Sequence, residues 1–436
     1  MRLVWILAAV LPLAAAPVDL SLKRAVQLAV SPEGNAKVQL SGEALKQAES
    51  KSAQARGALL PDLSAAFAQQ SATRNLAAMG LQLTVPIPGF HFPTFVGPFS
   101  TTDARVSATQ SMFDFSSIRR FQASKAGVSA AKSESSGSAE QVAALVARAY
   151  LAAVKADADV EAAHANVTLS EAVLQQAENQ KAAGTGTGIE VTRAKVQRAN
   201  DRQRLLVAEN VRRSAVLQVL RAVGLRLDTE VTLTDKLQYV PVDAMTIEQA
   251  KAQAVKGRPD LQAQQDREAS ARLLASATKL ERLPTVAAFG DYGSSGTALN
   301  NSMPTRTVGI SVRVPLFDGG RRDARRGEST SQYRSEKVKT NDLKEQIELD
   351  VRLALDALHS AEEQVKVSKE GLELAENELA QARRRYEAGV AIGVEVTDAQ
   401  TRLERARDNQ TQAIYSYNVG RLDLAQAMGA VRRMVE

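Results

Sequence analysis

The chain contains no cysteine. That excludes disulfides, thiolate zinc sites, a cysteine nucleophile and a lipid-bearing N-terminal cysteine. Its three histidines, His91, His164 and His359, stand far apart and give no metal-ligand spacing. There is no Gly-rich phosphate loop, no G-x-S-x-G and no H-E-x-x-H. These absences nominate no catalytic residue, no metal ligand and no cofactor, and an enzyme is not expected. Aromatic residues make only 4% of the chain, which argues against an aromatic-rich sandwich. Charge of one sign is never concentrated: 55 Lys and Arg stand against 49 Asp and Glu, a net +6. The short runs Arg321-Arg322, Arg325-Arg326 and Arg383-Arg384-Arg385 read as solvated helix faces, so a nucleic-acid partner has little support.

What is present is length and small apolar side chains. Ordinary domain sizes would divide 436 residues into about three domains. Hydrophobic residues make 44%, enough to bury a core, and alanine is in excess, as in helices packed through small side chains. Met1-Arg2 is followed by an apolar stretch over 3–16 that ends in three alanines. This reads as a secretory signal over 1–16 rather than a buried N-terminal helix, and it is too short to span a bilayer. Beyond residue 30 no apolar run reaches the roughly 18 residues of a membrane helix. An exported chain of this kind is either soluble outside the cytoplasm or crosses a membrane as β-strands.

The sequence repeats itself. Glu140 and Glu345, Gly184 and Gly389, and Gly224 and Gly429 are each 205 positions apart. The turn segments Ala183-Gly184-Thr185-Gly186-Thr187-Gly188-Ile189-Glu190-Val191-Thr192 and Ala388-Gly389-Val390-Ala391-Ile392-Gly393-Val394-Glu395-Val396-Thr397 align at that offset. Such a unit is far longer than a solenoid repeat and reads as duplication of one module, over 17–224 and 259–436, with a linker region over 225–258.

Each module carries a long helix. In the second, Ile347, Val351, Ala354, Leu358, Ala361, Val365, Ser368, Leu372, Ala375, Leu379, Ala382 and Tyr386 advance by alternating fours and threes. Val142 through Ala177 repeat the pattern in the first module. A period of 3.5 favours a left-handed supercoil, and an alanine-rich seam needs length and neighbours to be stable. The proline-free stretch over 119–183 would be about 95 Å long at 1.5 Å per residue. After each Gly-x-x-x-Gly turn, at 184–188 and 389–393, a shorter helix returns, so each module is a helical hairpin.

Strand-like stretches precede each long helix, at about 60–70 and 102–113, then 284–292 and 305–316. A long proline-bearing loop is expected over 71–103 and a short one over 293–304. Val308, Ile310, Val312 and Val314 alternate with Thr307, Gly309, Ser311 and Arg313. Apolar-out, polar-in alternation suits a membrane barrel wall, and it equally suits one half-buried strand of a soluble sheet. Four strands cannot enclose a lumen, since about eight only close around their own side chains. If these are barrel strands, several chains contribute, and three would give twelve.

The run Val314-Pro315-Leu316-Phe317-Asp318-Gly319-Gly320, the segments Leu59-Leu60-Pro61-Asp62-Leu63-Ser64 and Arg258-Pro259-Asp260-Leu261, the two glycine turns and the duplication together resemble the TolC family of outer-membrane efflux proteins. The resemblance covers about residues 19–432. It implies a mainly α fold with a membrane β-barrel. Long antiparallel helical hairpins would form a periplasmic tunnel, and four strands per chain would join a trimeric twelve-stranded barrel. It implies a homotrimer in outer-membrane lipid, extending into the periplasm. Such a trimer is a passive exit duct of a tripartite efflux pump or type I secretion system, and its partners are a periplasmic adaptor and an inner-membrane pump. The differing expectation is a periplasmic coiled-coil scaffold or adaptor without a pore. Two further expectations come from the resemblance. Glu395 and Asp398, with Tyr386 before the turn and Glu190 in the first module, would form a periplasmic entrance. Gly184, Gly188, Val191, Gly389, Gly393 and Val396 would form adaptor-docking tips. The basic residue that the resemblance implies between Tyr386 and Glu395 is absent, and Arg193, at the offset position of Asp398, is the candidate replacement.

Overall fold

A computed structural model describes residues 18–81, 88–89, 93–243 and 245–435. The expected signal over 1–16 lies outside them. Two compact units emerge, each built from separated stretches of chain. Among the described residues no helix is long and apolar enough to cross a membrane, and no cluster of His, Asp and Glu is suited to a metal ion.

The helical unit comprises the described part of Met1–Leu45, with Ala131–Ala263 and Thr340–Glu436. It opens with β1 (Val18–Leu20), α1 (Leu22–Val30) and the start of α2 (Ala36–Gly57). Most of α3 (Phe115–Ala182) leads into its return helix α4 (Gly188–Val223), then β4 (Val231–Leu233) and α5 (Ile247–Gly257). α6 (Pro259–Leu280) begins here; most of α7 (Arg321–Glu387), its return helix α8 (Gly393–Ala427) and α9 (Val431–Val435) complete the unit. Both proline-free stretches are thus single helices, as the 3.5-residue period requires. The seam is buried where the spacing places it: Val142, Val146, Ala153, Ala156, Leu174 and Ala177 on α3, and Ile347, Val351, Ala361, Val365, Leu379 and Ala382 on α7.

One end of this unit is pinned by the chain's first described residues. β1 pairs in parallel with β4, Val18 against Val231 and Leu20 against Leu233. The Tyr150 hydroxyl lies 2.9 Å from the Leu20 carbonyl and 2.8 Å from Asp235 Oδ2, which also accepts the Leu22 N–H at 2.7 Å. Around it Ala25, Val26, Val142, Val146, Val219, Val223, Leu422 and Val431 form the largest apolar core.

The sheet unit comprises Lys46–Ala130 and Gln264–Lys339. Its strands are β2 (Asp62–Asn75), β3 (Phe95–Phe113), β5 (Thr285–Gly296) and β6 (Ser302–Arg313), antiparallel in the order β2-β3-β5-β6. β2 and β6 are therefore open edges. The first pair extends beyond the stretches read from sequence, taking 71–75 and 95–103 out of the expected loop. Outside the expected strands, Ser71 pairs with Ser100, and Thr101 with Gln70, ladder pairing that their polarity concealed. Of the remaining loop, 82–87 and 90–92 lie outside the described residues. β5 likewise reaches Gly296 and β6 starts at Ser302, while 314–316 fall beyond its end.

Register assigns the faces. Leu63, Ala65 and Phe67 of β2 align with Ala108, Val106 and Ala104 of β3. Val106 and Ala108 align with Tyr292 and Gly290, which in turn meet Arg306 and Val308 of β6. Since paired residues share a face, one face is largely apolar along all four strands. The other carries Ser64, Asp103, Arg105, Ser107, Asp291, Thr305, Thr307 and Ser311. On that face the Arg105 guanidinium pairs with Asp291, and stands 3.3 Å from Asp103 Oδ2 and 3.3 Å from Thr305 Oγ1. Phe289 lies across Gly309, where an added Cβ would come 2.6 Å from the ring, so any larger residue there would have to push the Phe289 ring aside. The apolar face is bare: Val308 is 84% exposed and Leu63 72%.

Candidate functional site

The residues singled out at the hairpin ends come together in the helical unit. Both turns close alike. Gly184 and Gly389 have φ of +76° and +73°, and the next residue's N–H, of Thr185 or Val390, donates at 3.0 Å to the carbonyl of Gln180 or Arg385. This is the left-handed helix ending that glycine makes cheap. Beneath the turns the two repeats bury equivalent side chains. Leu174, Ala177, Val191 and Ala194 form one cluster. Leu379, Ala382, Val396 and Ala399 belong to another.

Above these cores the repeats diverge. In the first, Glu190 Oε2 accepts the Thr187 backbone N–H at 2.9 Å and its hydroxyl at 3.1 Å. Thr187 stands just before α4, so this carboxylate caps its own helix. The Thr187 N–H holds the Glu190 carboxyl below the ordinary carboxylate range, against an opposing effect of burial. In the second repeat Ile392 occupies the corresponding position and offers no side-chain cap to α8. Glu190 Oε1 lies 3.5 Å from the Gly393 N–H, one of the donors that the start of α8 leaves unused. One carboxylate therefore reaches both helix starts.

Tyr386 lies beneath this junction, 5% exposed and in one cluster with Val396 and Ala399. Burial, and then the charge of Glu190, pushes its phenol above the usual value. The three residues adjoin one another: a Cβ at Gly393 would make ordinary contact, 3.6 Å from Glu190 Oε1 and 3.7 Å from the Tyr386 ring.

Glu395 and Asp398 are exposed. Glu395 pairs with Arg385 at 3.2 Å, so the basic partner comes from before the turn rather than from within it. Arg193 and Asp398 line one groove of about 450 Å³ with Val196 and Val394, without an ion pair between them among the described contacts. Val191 and Val396 face inward, 6% and 1% exposed, and pack beneath the turns, whose exposed apolar side chains are Ile189, Val390 and Ile392. Sequence reasoning missed Thr187 and Arg385. The Thr187-x-x-Glu190 capping pattern was the available signal for the first; no local signal marked the second.

An antiparallel sheet bare on its apolar face, in a chain whose helical hairpins carry acidic turns, defines the class: a β-barrel membrane protein with a large helical part. The sequence model of the family described as outer membrane efflux protein matches residues 33–225 and 251–430. The chain belongs to that family, and its place is the outer membrane with extension into the periplasm. Among curated proteins it is similar to the alkaline protease secretion protein AprF of Pseudomonas aeruginosa, 21% identical over 320 residues, which are 72% of this chain and 66% of that protein. It is also similar to the pyoverdine export outer membrane protein OpmQ of Pseudomonas putida, 25% identical over 65% of this chain and 61% of that one. These alignments thus span somewhat less than two thirds of the relatives' lengths. In fold it is similar to VceC of Vibrio cholerae, with TM-score 0.78, 18% identity, and 94% and 96% of the two chains covered. The CmeC channel of Campylobacter jejuni gives 0.79 at 15% identity, covering 94% and 85%.

Proposed function

We propose that three copies of this chain close one twelve-stranded barrel in outer-membrane lipid and act as a passive exit duct for efflux or type I secretion. The observation that carries this reading is the four-stranded sheet with both edges open and one face apolar and bare. In a bilayer every unpaired strand N–H and carbonyl costs several kcal/mol, roughly, so an open four-stranded sheet is not a viable spanning structure. Edge β6 of one copy against edge β2 of the next satisfies both ladders and puts the polar Arg105 face around water. A second stripe supports it. On α7, Leu353, Val367 and Leu374 are exposed at heptad-compatible spacings, separate from the buried seam and free to pack on a neighbouring copy.

The duct has no chemistry to perform, in keeping with a family of channel proteins. Its work is to hold a water-filled path and to open it. The acidic side chains Glu190, Glu395 and Asp398, with Tyr386 and Arg193, form the periplasmic entrance in this reading. Three-fold repetition would gather Glu395 and Asp398 into a ring that favours cations. The glycine turns, with exposed Ile189, Val390 and Ile392, would receive a periplasmic adaptor that links the duct to an inner-membrane pump. AprF and OpmQ are named for secretion of a protease and export of pyoverdine, so the cargo class of this chain is not inferred from them.

The test is bilayer reconstitution after carbonate washing of membranes. The proposal expects the protein to stay with the outer membrane and to conduct. Release by carbonate would support the pore-free periplasmic scaffold instead.

A further inference from the structure

Deeper along the helical hairpins, two carboxylates are buried where the apolar seam would predict none. Asp201 of α4 is 2% exposed and Glu404 of α8 is 5% exposed. The Gln197 amide stands between them, 3.0 Å from Asp201 Oδ1 and 3.3 Å from Glu404 Oε1. The Arg204 guanidinium pairs with Glu404 Oε2 and remains 3.9 Å from Asp201 Oδ1. The second oxygen of Asp201 is buried without any hydrogen-bond partner. The Ser170 hydroxyl of α3, buried beside it, lies 3.0 Å from the Val167 carbonyl, and as a neighbour of Asp201 it acts to lower that carboxyl against the larger effect of burial.

Of the other charges around the pair, Lys155, Arg407 and Asp408 are engaged or open to solvent. On α3, Lys155 is taken by Asp159 at 2.7 Å. On α8, Arg407 donates to Asn166 Oδ1 at 3.1 Å, and Asp408 is exposed. On α4, Arg198 has its own Nε buried without a partner. α7 contributes apolar Leu372 and Ala375 to the cluster that contains Leu403. Two buried carboxylates therefore share one well-placed cation. A buried ionised carboxylate with an unsatisfied oxygen is strongly disfavoured, and a proton on that oxygen removes the penalty.

We propose that Asp201 and Glu404 share one proton, and that this proton sets how tightly α4 of the first repeat packs on α8 of the second. Burial pushes both carboxyls up from their ordinary range, and the charge of Asp201 raises Glu404 further. The sign follows from linkage. A carboxyl whose folded value is raised binds its proton better in the packed state. Packing is then tightest below the ordinary carboxylate range and weakens as pH rises through the raised folded values. Where the assembly conducts, opening at this junction becomes pH-dependent; that consequence alone rests on the duct reading.

Infrared difference spectra and hydrogen exchange on the full chain in lipid test the proposal. The wild type should show a protonated carboxyl band that persists above the ordinary carboxylate range and vanishes in Asp201→Asn. Exchange over 195–210 and 398–412, corrected for intrinsic chemistry, should rise by about tenfold per pH unit across the titration window in the wild type. It should be flat in Asp201→Asn and in Glu404→Gln, either of which suffices if the other misfolds. Absence of the band overturns the shared proton. A band without pH-dependent exchange overturns its role in packing. Both signals without conductance at any pH would count against the duct and leave the proton site standing.

Discussion

The two hairpin turns are copies of one design that differ in how the returning helix is capped. Both end the outgoing helix with glycine at positive φ, and both bury the same Leu-Ala-Val-Ala set. The first keeps its own cap, Thr187 with Glu190. The second has Ile392 at that place, while Glu395 turns to Arg385 and Glu190 stands over Gly393. Without a hydroxyl at 392, the second turn depends on a carboxylate of the first. A duct entrance built this way would be loosened more easily from the first turn than from the second.

Glu190→Ala should break the comparison most, because it uncaps α4 and removes the link to Gly393 together. A cost of about 1–2 kcal/mol is expected, read as faster hydrogen exchange at 389–395 as well as at 187–192. Glu395→Ala should leave 187–192 unchanged; equal effects of the two variants would show that the turns are independent. Gly389→Val places a side chain at positive φ with open space around it, so about 1–2 kcal/mol of backbone strain is expected with no clash. Gly184→Val should match it, and both should impair adaptor-dependent export while the oligomer persists; unimpaired export would count against docking at the turns. Ile392→Thr restores the missing hydroxyl and should slow exchange at 393–396, corresponding to about 0.5–1 kcal/mol. Slower exchange with no loss of conductance would show that the borrowed cap is not needed for opening.

Acid sharpens the same contrast. The Glu190 carboxyl lies below the ordinary range, so its contribution is present above that range and is lost as pH falls through its lowered folded value. Acid should therefore loosen the turns while it tightens Asp201 on Glu404, and opposite trends in hydrogen exchange at the two levels would separate them. The smallest expected effect is on selectivity. Glu395→Ala with Asp398→Ala should lower cation preference in bilayer recordings, and unchanged selectivity would remove both from the entrance.

Much of this was legible in the residues. The 205-residue offset and the alternating steps of four and three located both long helices, because a seam of small apolar side chains has no other use for that period. The strands of the second module were visible through Val308, Ile310 and Val312. Those of the first ran on through Ser71, Ser100 and Thr101, where backbone pairing carries the strand and the side chains give no alternation to read. Glu190 was legible as an acid beside a turn, but its reach to Gly393 was not. That contact joins residues 203 positions apart, and nothing local to either announces it. Asp201 and Glu404 were hidden for a similar reason: each looks like a solvated charge until the helix packed against it is known.

The most direct test of the account is the mass of the purified protein in mild detergent, measured together with conductance in a lipid film. Three copies in one conducting particle, with β6 of each copy cross-linking to β2 of the next, is the predicted result. A monomer that does not conduct would contradict it, for then the open edges of the sheet would need some other covering.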